Sequence, residues 1–257
     1  MPDDLLVEQE GPVLRVTFNR PEQRNALTWH MYDGLVAACE RADAEDAIRV
    51  MVLRGAGDTA FVAGTDISQF SEFRTGEDGI AYEQRVGRVL DRLAGVTVPT
   101  VAAISGYCVG AGMAVASVCD LRVATRTARF GVPVARTLGN CLAMPTYALL
   151  VGHLGQARAL DMLLRARLFT GEELHGAGFL AEFCDQPDLE ACVAEIVDGL
   201  TRNAPLTMWA SKEAVRRIRQ AQVPDGDDIV RAVYGSADFH HGVESFLTKR
   251  KPRWQGR

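Results

Sequence analysis

The stretch Pro99–Val134, PTVAAISGYCVGAGMAVASVCDLRVATRTARFGVPV, decides how the rest of the chain is interpreted. No charged residue occurs between Arg92 and Asp120, so this stretch must be buried. A membrane-spanning helix needs about 20 continuous apolar residues, whereas proline, threonine, serine and several glycines interrupt this one. The pattern therefore predicts a protein core: a buried strand over 100–105, a glycine-rich turn, a short buried helix and a second strand.

Strand and helix patterns alternate in the earlier part of the chain. Val13–Asn19 alternates apolar and polar residues as a half-buried strand does, and Val50–Arg54 is the next strand pattern. The polar segment 67–93 is helical in part, and the glycines of Thr75–Gly79 are expected to break it and make it mobile.

From Asp188 onward only helix patterns remain. Strands interleaved with helices, followed by helices alone, predict an α/β core and a helical C-terminal module. We place the boundary so that residues 1–187 form the core and residues 188–257 form the module.

Composition narrows the function. The chain of 257 residues has a formal charge of -5 and a pI of about 5.6, which argues against nucleic-acid and membrane-surface binding because such proteins usually have a basic face. Its six cysteines show no CxxC pairing and suggest a reducing, cytoplasmic location. The acidic N-terminus has no export-signal pattern.

The sequence gives little support to a dinucleotide-binding enzyme, a metalloenzyme or a serine hydrolase. Gly55–Ala60 fits the dinucleotide pattern G-x-G-x-x-A, but that fingerprint needs an amphipathic helix, and the apolar, glycine-interrupted FVAG follows at 61–64. The five histidines show no ligand spacing, so no metal site is expected. Ser105 lies in ISGYC rather than in a G-x-S-x-G elbow, which does not support a serine hydrolase.

Four separated blocks carry a family resemblance. They are Asn19-Arg-Pro with Arg24-Asn-Ala-Leu, AFVAGTDISQF at 60–70, the stretch 99–133 and ESFLTKRKPRW at 244–254. Together, and in this order, they resemble the crotonase, or enoyl-CoA hydratase/isomerase, superfamily. The resemblance implies a ββα spiral core with a helical trimerisation module, a homotrimer or dimer of trimers, and acyl-CoA as substrate. Coenzyme A would then be part of the thioester substrate, with no tightly bound cofactor.

The resemblance also implies an oxyanion hole made by the backbone N–H groups of Thr65 and Ala111. Proton abstraction beside a thioester pushes negative charge onto the carbonyl oxygen. Two fixed N–H donors stabilise that charge, and losing one typically costs about 3 kcal/mol.

The resemblance further assigns residues to coenzyme A. It places Arg24 and Ala26 near the pyrophosphate and adenine, and Phe246 and Lys249 on the coenzyme A of a neighbouring subunit. A solvated basic tail is the alternative for Lys249. The remaining expected contacts are Ala63, Asp66, Ile67 and Gly110.

The chain departs from the family at the two positions where hydratases hold glutamate. These are Ala114 and Val134, and neither side chain can move a proton. Nearby polar candidates for the substrate pocket are Asn140 and Cys141, with Arg136 and Thr137 beside them, although Cys141 also fits a small buried hydrophobe. Further candidates on the segment over the pocket are Glu72, Tyr82 and Glu83.

These features favour an enzyme that stabilises an acyl-CoA enolate and whose reaction is not glutamate-driven hydration. Decarboxylation, C–C cleavage or thioester hydrolysis would fit. The alternative is a non-catalytic CoA-binding paralogue or assembly subunit. A dinucleotide oxidoreductase is the third and weakest hypothesis.

Overall fold

The computed structural model describes residues 4–221 and 223–256. The strands of this part form two sheets. In chain order they are β1 (Leu5–Glu10), β2 (Val13–Phe18), β3 (Val50–Gly55), β4 (Ala60–Ala63), β5 (Thr100–Ile104), β6 (Tyr107–Val109), β7 (Leu121–Thr125), β8 (Arg129–Gly131), β9 (Phe169–Thr170) and β10 (Glu182–Cys184).

Helices cover the sheets and make up most of the C-terminal region. They are α1 (Trp29–Ala44), α2 (Gly76–Ala94), α3 (Ala111–Val118), α4 (Val134–Thr137), α5 (Met144–Leu164), α6 (Gly171–Gly176), α7 (Leu189–Arg202), α8 (Pro205–Gln220), α9 (Asp227–Tyr234) and α10 (Ala237–Leu247). Short 3-10 helices occupy Pro21–Gln23, Ile67–Phe70 and Gln186–Asp188.

The chain winds as a spiral between the two sheets. The six-stranded sheet has the order β1-β2-β3-β5-β7-β10, and the four-stranded sheet has the order β4-β6-β8-β9. Each turn of the spiral runs from a strand of the first sheet to a strand of the second and then to a helix, as in β3-β4-α2 and β5-β6-α3. Equivalent strands of successive turns pair in parallel. The predicted ββα spiral core is confirmed.

The corners of the spiral explain one of the central glycines. Gly106 joins β5 to β6 with φ of +64°, and a Cβ there would lie 2.0 Å from the carbonyl oxygen of Thr59. Only glycine combines that backbone conformation with such a close approach. The corner therefore stacks directly on the turn before it.

The central strand divides the core into two apolar clusters. All five residues of β5 are buried, as the uncharged run predicted. Ala102 and Ile104 belong to the larger cluster, which lies between the sheets and helices. Val101 packs in a smaller cluster, in which α7 covers the outer face of the six-stranded sheet through Leu189 and Val193. Helices on both faces bury this sheet, which explains its continuous apolar strands.

Several local predictions were wrong. Thr75–Gly79 begins α2 instead of breaking it: the Asp78 carboxylate accepts the Thr75 N–H at 2.8 Å, as in a capping box. The glycines serve close packing, since a Cβ on Gly76 would lie 2.1 Å from the Arg231 carbonyl oxygen of α9. Strands β1, β4, β6 and β9 were missed: β1 has an acidic sequence, and the other three are short. Mobility of the segment 67–93 stays a prediction.

Two larger-scale predictions have different outcomes. The C-terminal region is helical as expected, with α7 on the sheet and α9 against α2. The boundary between residues 1–187 and 188–257 stays a prediction.

In the dinucleotide alternative a helix should follow Gly55–Ala60, but strand β4 begins there instead, at Ala60, so that hypothesis is not supported.

Candidate active site

A cavity of about 480 Å³ opens between the four-stranded sheet and helices α2, α3, α4, α5 and α10. It collects most of the residues that sequence reasoning assigned to the site, although those residues come from separated parts of the chain. They are Arg24, Ala26, Ala63, Thr65, Asp66, Ile67, Gly110, Ala111, Ala114, Val134, Asn140 and Phe246. Lys249 and Cys141 do not line it.

Two glycine turns bring Thr65 and Ala111 to the same cavity. Gly64 precedes Thr65 with φ of +101°, and Gly110 precedes Ala111 with φ of +57°. A Cβ built on Gly110 would lie 3.4 Å from the Gly64 Cα, so the two turns are in contact. The positive φ values turn the following amides away from the strand direction, which is why glycine stands at both positions.

The N–H groups of Thr65 and Ala111 are free for a ligand. Neither donates a hydrogen bond to an acceptor within residues 4–221 and 223–256, while the neighbouring Asp66 and Gly110 amides bond to carbonyl oxygens at 2.9 Å. Ala111 is the first residue of α3, where N–H groups lack an intrahelical partner. The positive end of this helix therefore also faces the cavity.

Gly112 fixes the start of α3 against the second sheet. A Cβ on Gly112 would lie 2.1 Å from the carbonyl oxygen of Val62 in β4. The helix can therefore approach β4 only because residue 112 has no side chain. This close packing holds the Ala111 amide beside the turn that follows β4.

Thr65 also has a structural role that sequence reasoning missed. Its Oγ1 lies 2.9 Å from the Tyr32 hydroxyl of α1 and 2.8 Å from the Tyr82 hydroxyl of α2. Burial raises the pKa of Tyr32 to about 12, and burial likewise raises the pKa of Tyr82 well above its usual value, so both stay neutral. This buried hydroxyl triad ties the turn at Thr65 to two helices.

Asn25 anchors the loop that carries Arg24. It is fully buried and has φ of +57°, a conformation that Asn tolerates better than most residues. Its Oδ1 accepts the Arg20 N–H at 2.9 Å, and its Nδ2 donates to the carbonyl oxygens of Ala56 and Ala60. The Arg24 guanidinium lies 5.5 Å from the centre of the Tyr107 ring and offers a cation on the cavity wall.

Asp66 is already paired within the chain. Partial burial alone would raise the pKa of its carboxyl, but hydrogen bonds from Ser68 and Arg20 outweigh burial and hold that pKa below its usual value. The Arg20 guanidinium lies 3.1 Å from Oδ2. Asp66 is therefore an ion-paired carboxylate rather than a free base.

The two positions at which the family resemblance predicts glutamates in hydratases are apolar walls of the cavity. Ala114 is 6% exposed and Val134 is half-buried, and both line the space. Neither side chain offers an acid or a base, so any proton transfer at this site would have to use another group.

Glu83 is a second carboxylate on the cavity wall. It lines the cavity from α2 and is 9% exposed. The Tyr234 hydroxyl donates to its Oε1 at 2.6 Å, and the Ala143 N–H donates to its Oε2 at 3.0 Å. Burial raises the pKa of Glu83 from 4.5 to about 7, even though these two hydrogen bonds act to lower it. Of the three candidates on this segment, Tyr82 also lines the cavity, whereas Glu72 is exposed and does not.

Tyr234 and Asn140 complete a polar network that the sequence did not reveal. Asn140 Nδ2 donates to the Tyr234 hydroxyl oxygen at 3.3 Å. Its Oδ1 is buried and receives no hydrogen bond from the described part of the chain, so a ligand donor or a water would satisfy it. No local signal marks Tyr234, because it lies 151 residues from Glu83 in sequence.

The remaining predicted residues lie outside this network. Cys141 belongs to the apolar core, and burial raises the pKa of its thiol to about 12, as expected for a small buried hydrophobe. Thr137 lines the cavity, but its hydroxyl donates to the Pro133 carbonyl oxygen, and Arg136 is exposed. Phe246 reaches the cavity of its own chain, while Lys249 is exposed.

The described residues contain neither a metal-binding cluster nor a helix suited to span a membrane. No group of three or more His, Cys, Asp or Glu side chains among them is arranged to hold a metal ion. No helix in residues 4–221 and 223–256 combines the length and apolarity needed to cross a bilayer.

A spiral of ββα turns, with two free backbone amides over one cavity, defines the class of crotonase-fold proteins. The sequence model of the enoyl-CoA hydratase/isomerase family matches residues 8–257. The chain belongs to this family.

Individual relatives agree with this assignment. The chain is 30% identical to the 2,3-dehydroadipyl-CoA hydratase of Escherichia coli strain K12 over 99% of each chain. It is also 30% identical to an enoyl-CoA hydratase/carnithine racemase from Magnetospirillum magneticum, with a TM-score of 0.81 over 100% of this chain and 97% of that one. A methylmalonyl-CoA decarboxylase complexed with 2S-carboxypropyl CoA gives a TM-score of 0.90 over the full length of both chains. Its 24% identity supports likeness of fold alone.

Proposed function

We propose that the protein binds an acyl-CoA thioester and stabilises the enolate of its acyl group with the backbone N–H groups of Thr65 and Ala111. The observation that carries the proposal is that both amides lack acceptors and adjoin one cavity. Fixed donors in a partly enclosed site stabilise developing charge far better than water does, because they need no reorganisation. Coenzyme A enters as part of the substrate, and no tightly bound cofactor is required.

The substrate would lie with its nucleotide end at Arg24 and Ala26 and its pantetheine along Ala63, Ile67 and Gly110. The Arg24 guanidinium supplies positive charge for the phosphates. The Asp66 carboxylate adds little repulsion there because Arg20 neutralises it.

The reaction is not hydration by the usual pair of glutamates. Addition of water to an enoyl thioester needs one group to activate the water and another to deliver a proton, and positions 114 and 134 supply neither. The relatives named as hydratases therefore indicate the substrate class rather than the reaction. A non-catalytic CoA-binding subunit is the alternative that these apolar positions favour.

A substitution at Ala111 tests the oxyanion hole directly. Proline is tolerated at the first position of a helix but has no N–H, so Ala111→Pro removes one donor while α3 can still form. Ala111→Gly keeps the donor and is the matched control. Turnover would be followed by mass spectrometry on a panel of enoyl-, malonyl-type and aryl-CoA esters.

We expect Ala111→Pro to lower kcat about 10²- to 10³-fold, while Ala111→Gly stays active and both variants bind free coenzyme A in calorimetry. Equal turnover by Ala111→Pro and the parent protein would refute the oxyanion hole. Binding of coenzyme A by the parent protein without turnover of any ester would support the non-catalytic alternative. Calorimetry that detects no binding of coenzyme A would refute the proposal as a whole.

We also propose that the protein assembles as a homotrimer or a dimer of trimers in the cytoplasm. Large apolar side chains on α5 and α8 stay exposed in the single chain, including Leu160, Leu164, Leu206 and Ile218, and such surfaces often mark protein interfaces. Lys249 would then act on a neighbouring subunit's coenzyme A. Light scattering coupled to gel filtration tests this assembly, and a monomer at micromolar concentration would contradict it.

A further inference from the structure

We infer that Glu83 is the acid–base group of this enzyme, which moves a proton to and from the acyl carbon beside the thioester carbonyl. We further infer that the acyl group bound there carries no charge at its reacting end. Both statements rest on the proposed function, since they need a thioester held at Thr65 and Ala111.

The position of Glu83 follows from the way α2 is attached to the oxyanion turn. Tyr82, the residue before it, holds the Thr65 side chain through the 2.8 Å contact between their hydroxyl oxygens. Tyr82, Glu83 and Thr65 all line the same cavity. The helix is thus fixed to the turn that presents one oxyanion donor, and the next side chain along it is a carboxylate.

The hydrogen bonds of Glu83 orient it without saturating it. Each carboxylate oxygen accepts one bond, from the Tyr234 hydroxyl and from the Ala143 N–H. An ionised carboxylate offers about four acceptor positions, so capacity remains for a proton. Donors on both oxygens hold the group in one orientation, which proton transfer in a defined direction requires.

The surroundings of Glu83 bring the pKa of its carboxyl close to neutral pH. Burial raises the pKa of Glu83 to about 7, and a general base works best when its pKa is near the operating pH. The titratable groups facing it are neutral at that pH: Tyr82 on its own helix, Tyr234 on α9, Tyr147 on α5 and Cys141 before α5. No Lys or Arg in the described part of the chain makes an ion pair with it.

The charge distribution of the cavity also selects the acyl group. Among the described lining residues, Arg24 is the one cation, and it lies on the cavity wall beside Tyr107. A carboxylate on an acyl group bound in this cavity would meet no cation of the described lining beside Glu83 and would repel its ionised form. An uncharged acyl chain packs instead against Val86, Leu90 and Leu142.

The proton-transfer step needs no co-reactant. The Glu83 carboxylate takes a proton from the acyl α-carbon: the C–H bond breaks, an O–H bond forms, and the electron pair moves onto the thioester oxygen. The N–H groups of Thr65 and Ala111 hold that oxyanion. The Glu83 carboxyl proton exchanges with solvent, so return of a solvent-derived proton to the same carbon gives isotope exchange, and return to the γ-carbon of an enoyl chain shifts the double bond.

Hydrogen exchange at the α-carbon tests this inference whatever the complete reaction is. The protein is incubated with butyryl-CoA, 3-butenoyl-CoA and phenylacetyl-CoA in D₂O, and deuterium uptake is followed by mass spectrometry. We expect uptake with the parent protein and a rate about 10²- to 10⁴-fold lower with Glu83→Gln. The rate should rise with pH through about 7.

Two further variants separate proton transfer from a purely structural role. Glu72→Gln alters an exposed acid on the same segment and should exchange at the parent rate. Tyr234→Phe removes a hydrogen bond that lowers the pKa of Glu83, so the midpoint of its pH profile should move upward. A structural role would leave that midpoint unchanged.

The outcomes also distinguish this inference from the proposed function. Exchange that persists in Glu83→Gln but falls in Ala111→Pro would overturn the role of Glu83 and leave the oxyanion hole standing. Absence of exchange by the parent protein on all three esters, with coenzyme A still bound, would likewise overturn it. Rapid turnover of malonyl-type esters in preference to these probes would overturn the selection of an uncharged acyl group.

Discussion

Two glycines on α2 give a sharp test of how Glu83 is held in place. A Cβ on Gly79 would lie 2.2 Å from Cγ of Tyr234, whereas a Cβ on Gly87 would meet nothing within 4 Å. Both residues are inside the same helix, so replacing either by alanine gains about 1 kcal/mol of helix propensity. Any difference between Gly79→Ala and Gly87→Ala therefore reports the contact with α9.

The size of that difference follows from the contact. Carbon atoms pack at about 3.5–4.0 Å, so the base of the Tyr234 side chain must move by more than about 1 Å. Tyr234 is fully buried against Phe239, at 4.7 Å between ring centres, and cannot move freely. Overpacking typically costs about 1–3 kcal/mol, and losing the hydrogen bond to Glu83 adds about 1.5–3 kcal/mol.

After the helix gain is subtracted, we expect Gly79→Ala to lose about 3 kcal/mol of unfolding free energy. Gly87→Ala should instead gain up to about 1 kcal/mol. Urea denaturation at pH 7, followed by circular dichroism at one fixed protein concentration, measures both against the parent protein. Equal stability of the two variants would refute the close approach of α9 and, with it, the geometry assigned to Tyr234 and Glu83.

Three other substitutions probe the site. Asn25→Asp replaces the amide that donates to two buried carbonyl oxygens, so we expect a loss of about 2–4 kcal/mol at pH 7. Because burial should raise the pKa of the new carboxyl, the loss should be smaller at pH 5.5 than at pH 8 in urea denaturation, and equal losses would contradict this. Thr65→Val removes the shared partner of the Tyr32 and Tyr82 hydroxyls and should lower the free energy of unfolding by about 1–2 kcal/mol. Adding Tyr32→Phe and Tyr82→Phe should partly restore this stability. A further loss in the triple variant would argue against the triad. Burial raises the pKa of Glu83 from 4.5 to about 7, so between these pH values the native protein retains a proton that the unfolded chain has released. Its free energy of unfolding, compared with that of Glu83→Gln, should therefore fall by about 3 kcal/mol as the pH rises through this range. Parallel stability curves for the two proteins would contradict that pKa.

The glycine turns before Thr65 and Ala111 could be predicted from sequence because their signals are local, whereas their role as an oxyanion hole stays a prediction. The uncharged stretch 99–118 is long enough to require burial, and Gly106 and Gly110 turn the chain sharply within it through positive φ values. Family resemblance then located Thr65 and Ala111, and the structure puts both on one cavity. Such predictions succeed because each depends on a few consecutive residues.

The Glu83 network could not be predicted because it depends on contacts between distant segments. The start of α2 was misread for the same reason: Gly76 and Gly79 weaken a helix by propensity, yet they allow α9 to pack against it. With α9 in place, Tyr234 reaches Glu83 one turn further along α2. Local propensity and tertiary packing give opposite predictions here, and packing determines the outcome.

The same distinction explains how the scaffold can keep its substrate class while its proton chemistry changes. The proposed oxyanion donors at Thr65 and Ala111 are backbone groups, so substitutions elsewhere in the cavity would leave them intact as long as the glycine turns remain. A general base, by contrast, is a side chain, and any wall of the cavity that faces the acyl carbon can provide one. Ala114 and Val134 remove the acids from two walls, and Glu83 on α2 offers one from a third. Under the proposed function, apolar residues at the two predicted glutamate positions are therefore compatible with a base elsewhere on the cavity wall, and they are not by themselves evidence that catalysis has been lost.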